Sequence, residues 1–318
     1  MKDKKSIILY KSLMHYVKDT NHLAELCSKL NKSKFLAIDT EFIREKTYWP
    51  KLCLIQVFNG EDKIIIDPLV KGLDLKPFFK ILSNNEIVKI FHSGRQDIEI
   101  FYNLTKKIPK NIYDTQIAAM VCGFGDSIGY ENLVSQLLGK KIDKTSRLTN
   151  WSNRPLSKKQ INYAISDVTH LFEIYPLIKD KIINNKRESW FKEEIKILIS
   201  KKTYDLNPNE SWKRLKYRNL NKNSIGILIE LAKWREIKAQ EKDVPRGNII
   251  RDDAIYELCS AQPKNRDDLN NLRSFNRKSS LRKEFTEEII KIIDKGKSIK
   301  KEKLPKIKPL KRLPTGIS

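Results

Sequence analysis

The sequence predicts a layered α/β domain followed by a smaller all-helical one. Short apolar, β-branched runs recur through the first hundred residues, bounded by polar turn residues. Apolar residues at helical spacing fill the gaps between those runs and continue after them. Past about residue 200 the strand signals fade and only the helical spacing persists. The chain of 318 residues is long enough for two cores. The expected organisation is a first domain over 1–200, a linker over 201–208, a helical domain over 209–295, and a basic, disordered tail over 296–318.

Taken in order, strands are expected near Ile7 to Tyr10, Phe35 to Asp39, Leu52 to Phe58, Lys63 to Asp67 and Ile87 to Phe91. In the second of these, residues two apart project to one face, so Asp39 and Glu41 point together from a strand end. Ser93 and Gln96 form a capping-box pattern, and Ile98, Phe101 and Tyr102 follow at helical spacing, which places Asp97 in a first helical turn. Asp114 stands before Thr115 and Gln116 as a helix-starting residue. Ser157 and Gln160 open a further helix by the same capping-box pattern, and Pro176 is expected to close it. Within it Tyr163 precedes Asp167 by four residues, so phenol and carboxylate share one face.

Four carboxylates in these settings point to metal chemistry. Like charges raise one another's pKa, and a buried unpaired carboxylate is costly, so clustered acids call for a cation. Magnesium favours carboxylate oxygens, water and phosphate, and manganese suits the same donors. Two such ions about 4 Å apart can stabilise both the attacking and the leaving oxygen of a phosphoryl displacement. Each signal alone is weak, since an Asp-x-Glu strand end is usually solvated and a Tyr/Asp pair usually lies on a helix surface. Their combination on strand, helix and helix is specific.

The chain resembles the bacterial ribonuclease D family of the 3′-to-5′ exonuclease superfamily, named for its Asp-Glu-Asp-Asp set. The resemblance is carried by Ile38-Asp39-Thr40-Glu41-Phe42 with Thr47 to Gln56, by Phe91 to Asp97 with Tyr113 to Gln116, and by Trp151, Arg154-Pro155-Leu156 and Tyr163 to Asp167. It covers roughly the first 200 residues. A tyrosine four before the last aspartate, with Asn162 beside it, resembles the tyrosine branch rather than the histidine branch. The resemblance implies a ribonuclease-H-like mixed sheet with flanking helices. It also implies two divalent ions, Mg2+ or Mn2+: one held by Asp39, Glu41 and Asp167, the second sharing Asp39 and supported by Asp97 through water. Tyr163 would orient the attacking water, mainly as a positioning group because a phenol is a poor base at neutral pH. Thr40 and Phe42 would meet the terminal nucleotide.

Other residues have plainer readings beside functional ones. His92 could contact a phosphate, or serve as a structural hydrogen-bonder. Trp151 and Arg154 could touch the substrate strand, or serve packing and a local ion pair. His15, His22 and His170 make no metal-ligand spacing.

Lys and Arg total 63 against 39 acids, a net charge of +24, which favours phosphate-rich partners and fits RNA. The excess is denser in 201–318, with 30 basic and 16 acidic residues, than in 1–200, with 33 and 23. Cys27, Cys53, Cys122 and Cys259 show no paired spacing and suit a reduced compartment. No run approaches a membrane span, so a cytoplasmic location and no membrane partner are expected.

Ser211 to Arg214, Ile225 to Lys242 and Val244 to Ala254 resemble the small helical module shared by ribonuclease D and certain helicases, the HRDC domain. Its apolar positions, Leu228, Leu231 and Ala232 among them, read as core, and its basic rims as either RNA contacts or a solvated face. Relatives often carry a second such module, whereas one is read here. Gly296-Lys297-Ser298 mimics the end of a nucleotide-binding loop, but Lys291 stands at the leading glycine position and no buried strand precedes it. No nucleotide-driven motor is expected. From Lys295 onward nine basic residues face Glu302 alone, which suggests a tail with nonspecific RNA affinity.

The expected activity is release of 5′-mononucleotides from RNA 3′ ends. The resemblance implies transfer-RNA precursors and other small structured RNAs with free 3′ ends as substrates. A DNA-directed exonuclease and a binding protein without turnover are the alternatives.

Overall fold

The computed structural model describes residues 13–143, 145–216, 224–275, 284–300, 302, 304 and 305. By its internal contacts the chain forms two compact units, Met1–Ile43 with Pro50–Tyr204, and Arg44–Trp49 with Asp205–Ser318.

The first unit is built on six strands, β1 (Leu13–Val17), β2 (Phe35–Ile43), β3 (Lys51–Phe58), β4 (Asp62–Ile66), β5 (Val88–Phe91) and β6 (Ile112–Asp114), in the order β1-β4-β3-β2-β5-β6. The sheet is mixed: β3 runs antiparallel to both neighbours, and the remaining pairs are parallel. Four expected strands are present. The one expected over Ile7 to Tyr10 lies outside the described residues, and β1 follows it in sequence. β6 has only three residues, too few to show a period of two.

Alternation along β2 sorts its side chains between two cores. Leu36 and Ile38 join a cluster with residues of α1 (Thr20–Leu30), α2 (Lys76–Ser83) and α3 (Arg95–Thr105). Ala37 joins another with α4 (Thr115–Val121), α5 (Tyr130–Leu138) and α6 (Lys158–Asn184). Asp39 and Glu41, in step with Ala37, therefore belong to the α6 face, and Thr40 to the α3 face. The unit continues through α7 (Glu188–Leu198) and α8 (Lys201–Tyr204), a helical turn at the start of the stretch that reads as a linker.

Two local expectations change. The Ser93/Gln96 capping box does not form: α3 starts after Gly94 with no side-chain cap. Ser93 adopts φ +57°, and the Asp114 carboxylate accepts the backbone N–H of Ser93 at 3.2 Å and of Gly94 at 2.8 Å, so those donors are met from β6. Gly94 is required by close approach, because a Cβ there would stand 2.6 Å from the Phe91 Cβ. Nor does Pro176 end α6, which runs on to Asn184. Ile174, Tyr175, Ile178 and Ile182 are buried on both sides of the proline, and their packing outweighs the lost backbone bond. The Ser157/Gln160 capping box and the Asp114 cap, which accepts from the N–H of Gln116 and Ile117, form as expected.

The second unit holds a 3₁₀ segment (Pro208–Arg214), α9 (Ile225–Glu241), α10 (Arg246–Ile249), α11 (Asp252–Ala261), α12 (Arg266–Asn270) and α13 (Thr286–Lys297). Leu228, Leu231 and Ala232 are core, as their spacing predicts. Gly296 is a packing residue: a Cβ on Gly226 would stand 2.3 Å from its carbonyl oxygen, so α9 and α13 touch backbone to backbone. Its position at a helix end explains the glycine of Gly296-Lys297-Ser298 without any phosphate loop. Most of the 296–318 tail lies outside the described residues.

Candidate active site

Three elements converge on the site. β2 contributes Asp39 and Glu41, α6 contributes Tyr163 and Asp167, and α3 contributes Asp97 in its first turn. One oxygen each from Asp39, Glu41 and Asp167 lie within 4.8 Å of one another. Asp167 is buried, and its Oδ1 has no hydrogen-bond partner. Asp97 is also buried and stands outside that trio, accepting a hydrogen bond from the Thr40 hydroxyl at 2.5 Å. Sequence spacing thus brought together four of the expected acids, with three close enough to share one ion.

The electrostatics of the cluster are those of uncompensated charge. Burial, and then the negative charges of Asp97, Asp167 and Glu41, hold the Asp39 carboxyl well above the usual carboxylate range. Burial followed by Asp167 and Asp97 pushes Glu41 up to about 9, while the cation of Arg147 works against the shift. Burial raises Asp167 to about 7 against the opposing Tyr163 hydrogen bond and Arg147 charge. Asp97, raised by burial to about 6, is restrained by the Thr40 bond. Without a cation the four groups cannot all be ionised at neutral pH. That excess of negative oxygen, and the unpartnered Asp167 Oδ1, fit a hard divalent ion.

Tyr163 stands one turn before Asp167 on α6, and its phenol interacts with the Asp167 carboxylate. Burial first, and then the charges of Asp167, Glu41 and Asp39, push its phenol far above its ordinary value, so it stays protonated and donates. This favours a positioning role over a basic one.

The remaining candidates separate. Thr40 spends its hydroxyl on Asp97, and Phe42 packs partly buried against the α1–α3 core, past a register shift between Glu41 and Phe42. His92 meets the Thr115 hydroxyl through Nδ1 at 3.0 Å and lies 5.2 Å from the Tyr130 ring, and burial lowers its pKa, so it is held neutral. Arg154 takes the structural alternative: it forks onto Asp67 at 2.6 and 2.7 Å and donates to the Cys53 carbonyl at 2.7 Å. Trp151 is buried.

Two residues near the site were not anticipated. Tyr130 of α5 donates its phenol to the Asp167 carbonyl, pinning α6 at the turn that carries the carboxylate. Arg147, exposed in the turn over 145–149, supplies the positive charge felt by Glu41 and Asp167. Both come from segments distant in sequence from the acids, and only the fold brings them near.

Comparison with known proteins places this geometry in a family. Residues 14–183 match the family profile described as 3′-5′ exonuclease, and residues 225–293 match that of the HRDC domain. A ribonuclease D of Bartonella henselae is 46% identical over 268 residues, covering 84% of this chain and 66% of that protein. One of Nitrobacter hamburgensis is 40% identical over 294 residues, covering 92% and 77%. The chain belongs to the ribonuclease D family. It spans about two thirds of the length of the Bartonella relative. The crystal structure of Escherichia coli RNase D, an exoribonuclease involved in structured RNA processing, matches with a TM-score of 0.86 at 28% identity, covering 95% of this chain and 80% of that one. The mixed sheet with flanking helices is thus the ribonuclease-H-like exonuclease fold, and the helical unit carries the HRDC domain of this family.

Proposed function

We propose that this chain is a metal-dependent 3′-to-5′ exoribonuclease that releases 5′-mononucleotides and trims transfer-RNA precursors and other small structured RNAs. The observation that carries the reading is the approach of Asp39, Glu41 and Asp167 to within 4.8 Å with a buried, unpartnered carboxylate oxygen. Two Mg2+ or Mn2+ ions bound there would acidify the attacking water and stabilise charge on the phosphate and the leaving oxygen.

The protein's own groups supply position. Asp39, Glu41 and Asp167 gather the ions, and Asp97 supports them while its Thr40 bond ties β2 to α3. Tyr163, held protonated, donates to the acceptors around the reacting phosphate and fixes the water's line of attack. Water adds to the terminal phosphodiester, the 3′ oxygen of the penultimate nucleotide leaves and takes up a proton, and a nucleoside 5′-monophosphate departs. Arg147 places a cation beside an otherwise anionic site, where an incoming phosphate gains from it. Thr40 and Phe42 would meet the terminal nucleotide, and His92 a substrate phosphate. The 1–200, 209–295 division assigns chemistry to the first domain and RNA capture to the basic second one. All four cysteines are free, and no described helix is long and apolar enough to cross a membrane, in keeping with work in the cytoplasm.

The test is a 5′-labelled single-stranded RNA with a free 3′ hydroxyl, incubated with and without Mg2+ or Mn2+, beside a DNA strand of the same sequence and an Asp167→Asn variant. A ladder shortening from the 3′ end, requiring metal, lost in the variant and weaker on DNA, supports the reading. Equal or faster DNA cleavage favours the DNA-directed alternative, since backbone phosphates do not distinguish the sugars. Binding without shortening under either metal overturns catalysis.

A further inference from the structure

Gln56 is fully buried, and neither its Nε2 nor its Oε1 has a hydrogen-bond partner. Among the described residues it is the one side chain with two such atoms. Its strand gives no general reason for an amide: in Leu52-Cys53-Leu54-Ile55-Gln56-Val57-Phe58 every other residue is apolar and buried. An unpaired buried amide costs stability that leucine or methionine would not. A cost of this kind is accounted for if the amide gains its partner in another state of the site.

The register says where that partner is. Gln56 stands directly opposite Asp39 in the antiparallel β2–β3 pair, and opposite Ile65 on its other side. Residues directly opposite share a face, with Cβ atoms about 5 Å apart. Leu54 and Phe58, two residues to either side, pack in clusters with Ala164 and Val168 of α6, so the amide lies beneath the helix that carries Tyr163 and Asp167. Of its two cross-strand neighbours, only Asp39 can hydrogen-bond through its side chain.

We propose that Gln56 is a positioning residue of the active site, its amide N–H donating to the Asp39 carboxylate in the metal-loaded protein and so fixing Asp39 toward Glu41 and Asp167. The inference rests on the metal-dependent reading above. Metal ligands are commonly held by hydrogen bonds of this kind, and losing one typically weakens metal affinity about 10- to 100-fold. In the metal-free protein the amide is a liability, and in the loaded protein it is an orienting group. Those two roles have opposite signs on two measurable quantities.

The experiment uses the full chain with Gln56→Met, close in length and volume, and Gln56→Leu as a second variant. Thermal melting in chelator reads metal-free stability, and calorimetric titration with Mn2+ reads affinity. The expected result is a metal-free Tm equal to or above wild type together with Mn2+ affinity weakened about 10- to 100-fold, and RNA hydrolysis partly restored at high Mn2+. A lowered metal-free Tm in both variants with Mn2+ affinity unchanged overturns the proposal, because the amide is then a structural group. Unchanged Tm and unchanged affinity overturn it as well. If wild type itself binds no Mn2+, the metal reading fails along with this one. If wild type binds and the variants bind equally, only the role of Gln56 falls.

Discussion

Glu236 of the helical unit is a buried carboxylate and the acids of the exonuclease site are buried or half-buried ones, and their fates are opposite. Burial alone would raise Glu236, but hydrogen bonds from Arg246 and Tyr48, and the charges of Arg246 and Arg214, outweigh it and hold the carboxyl below its ordinary value. Arg246 forks onto it at 2.5 and 2.7 Å, with Arg214 at 3.2 Å. Asp67 is treated likewise by Arg154 and Tyr16. Asp39, Glu41 and Asp167 face mainly one another, with Arg147 as a solvent-exposed counter-charge, and are raised. A buried acid with its cation built in is part of the scaffold. A cluster left without one is a place where a cation is meant to come from outside.

That contrast breaks first under substitution of one site acid. Asp167→Asn is expected to lower RNA hydrolysis on the order of 10³-fold, as loss of a principal electrostatic contributor does, while the metal-free Tm holds or rises because one buried like charge is gone. Turnover of labelled RNA and melting in chelator check the two halves. Glu236→Gln should do the reverse to stability, costing roughly 3 kcal/mol by leaving Arg246 and Arg214 without their anion. Chemical denaturation of the two variants side by side sharpens the comparison, and equal destabilisation would erase it.

Tyr163→Phe tests position without charge. The expected loss is about 10- to 100-fold in kcat with KM little changed, the scale of an orienting group next to a metal site. Its phenol is held protonated, so the wild-type pH–rate profile should show no limb belonging to it. A profile limb present in wild type and absent in the variant would restore the tyrosine as a base.

The contrast also sets the slope of stability with pH. In the metal-free protein Glu41 titrates at about 9 against 4.5 unfolded, and Asp167 at about 7 against 3.8. The folded state binds the extra protons, so this contribution is whole below the unfolded values and is lost as pH rises through about 7 and then about 9. The Tm in chelator should fall between pH 5 and 9, and saturating Mn2+ should remove the decline. Glu236, with its pKa lowered, contributes in the opposite sense, losing stability as pH falls through its folded value.

The sequence disclosed what depends on local periodicity. β2 to β5, the Ser157/Gln160 cap and the Tyr163/Asp167 face were readable because alternation, capping and i, i+4 spacing act within a few residues. It misled where a tertiary contact overrode a local rule, as when Asp114 took the Ser93 backbone donor that the Gln96 side chain seemed placed to cap, and when core packing carried α6 through Pro176. Tyr130 and Arg147 were illegible because nothing in their own segments speaks of the acids. Gln56 ends the Thr47 to Gln56 stretch that shares in the family resemblance, yet its meaning needs the β2–β3 register that sets it against Asp39.

The central claim is that the acid cluster is built to receive a divalent cation. Calorimetric titration of the metal-free chain with Mn2+, run in two buffers of different ionisation enthalpy and repeated on Asp167→Asn, tests it most directly. The account predicts saturable binding to wild type with release of protons, since carboxyls raised to about 7 and about 9 must ionise to bind, and strongly weakened binding in the variant. Absence of binding, or binding that neither releases protons nor depends on Asp167, would contradict it.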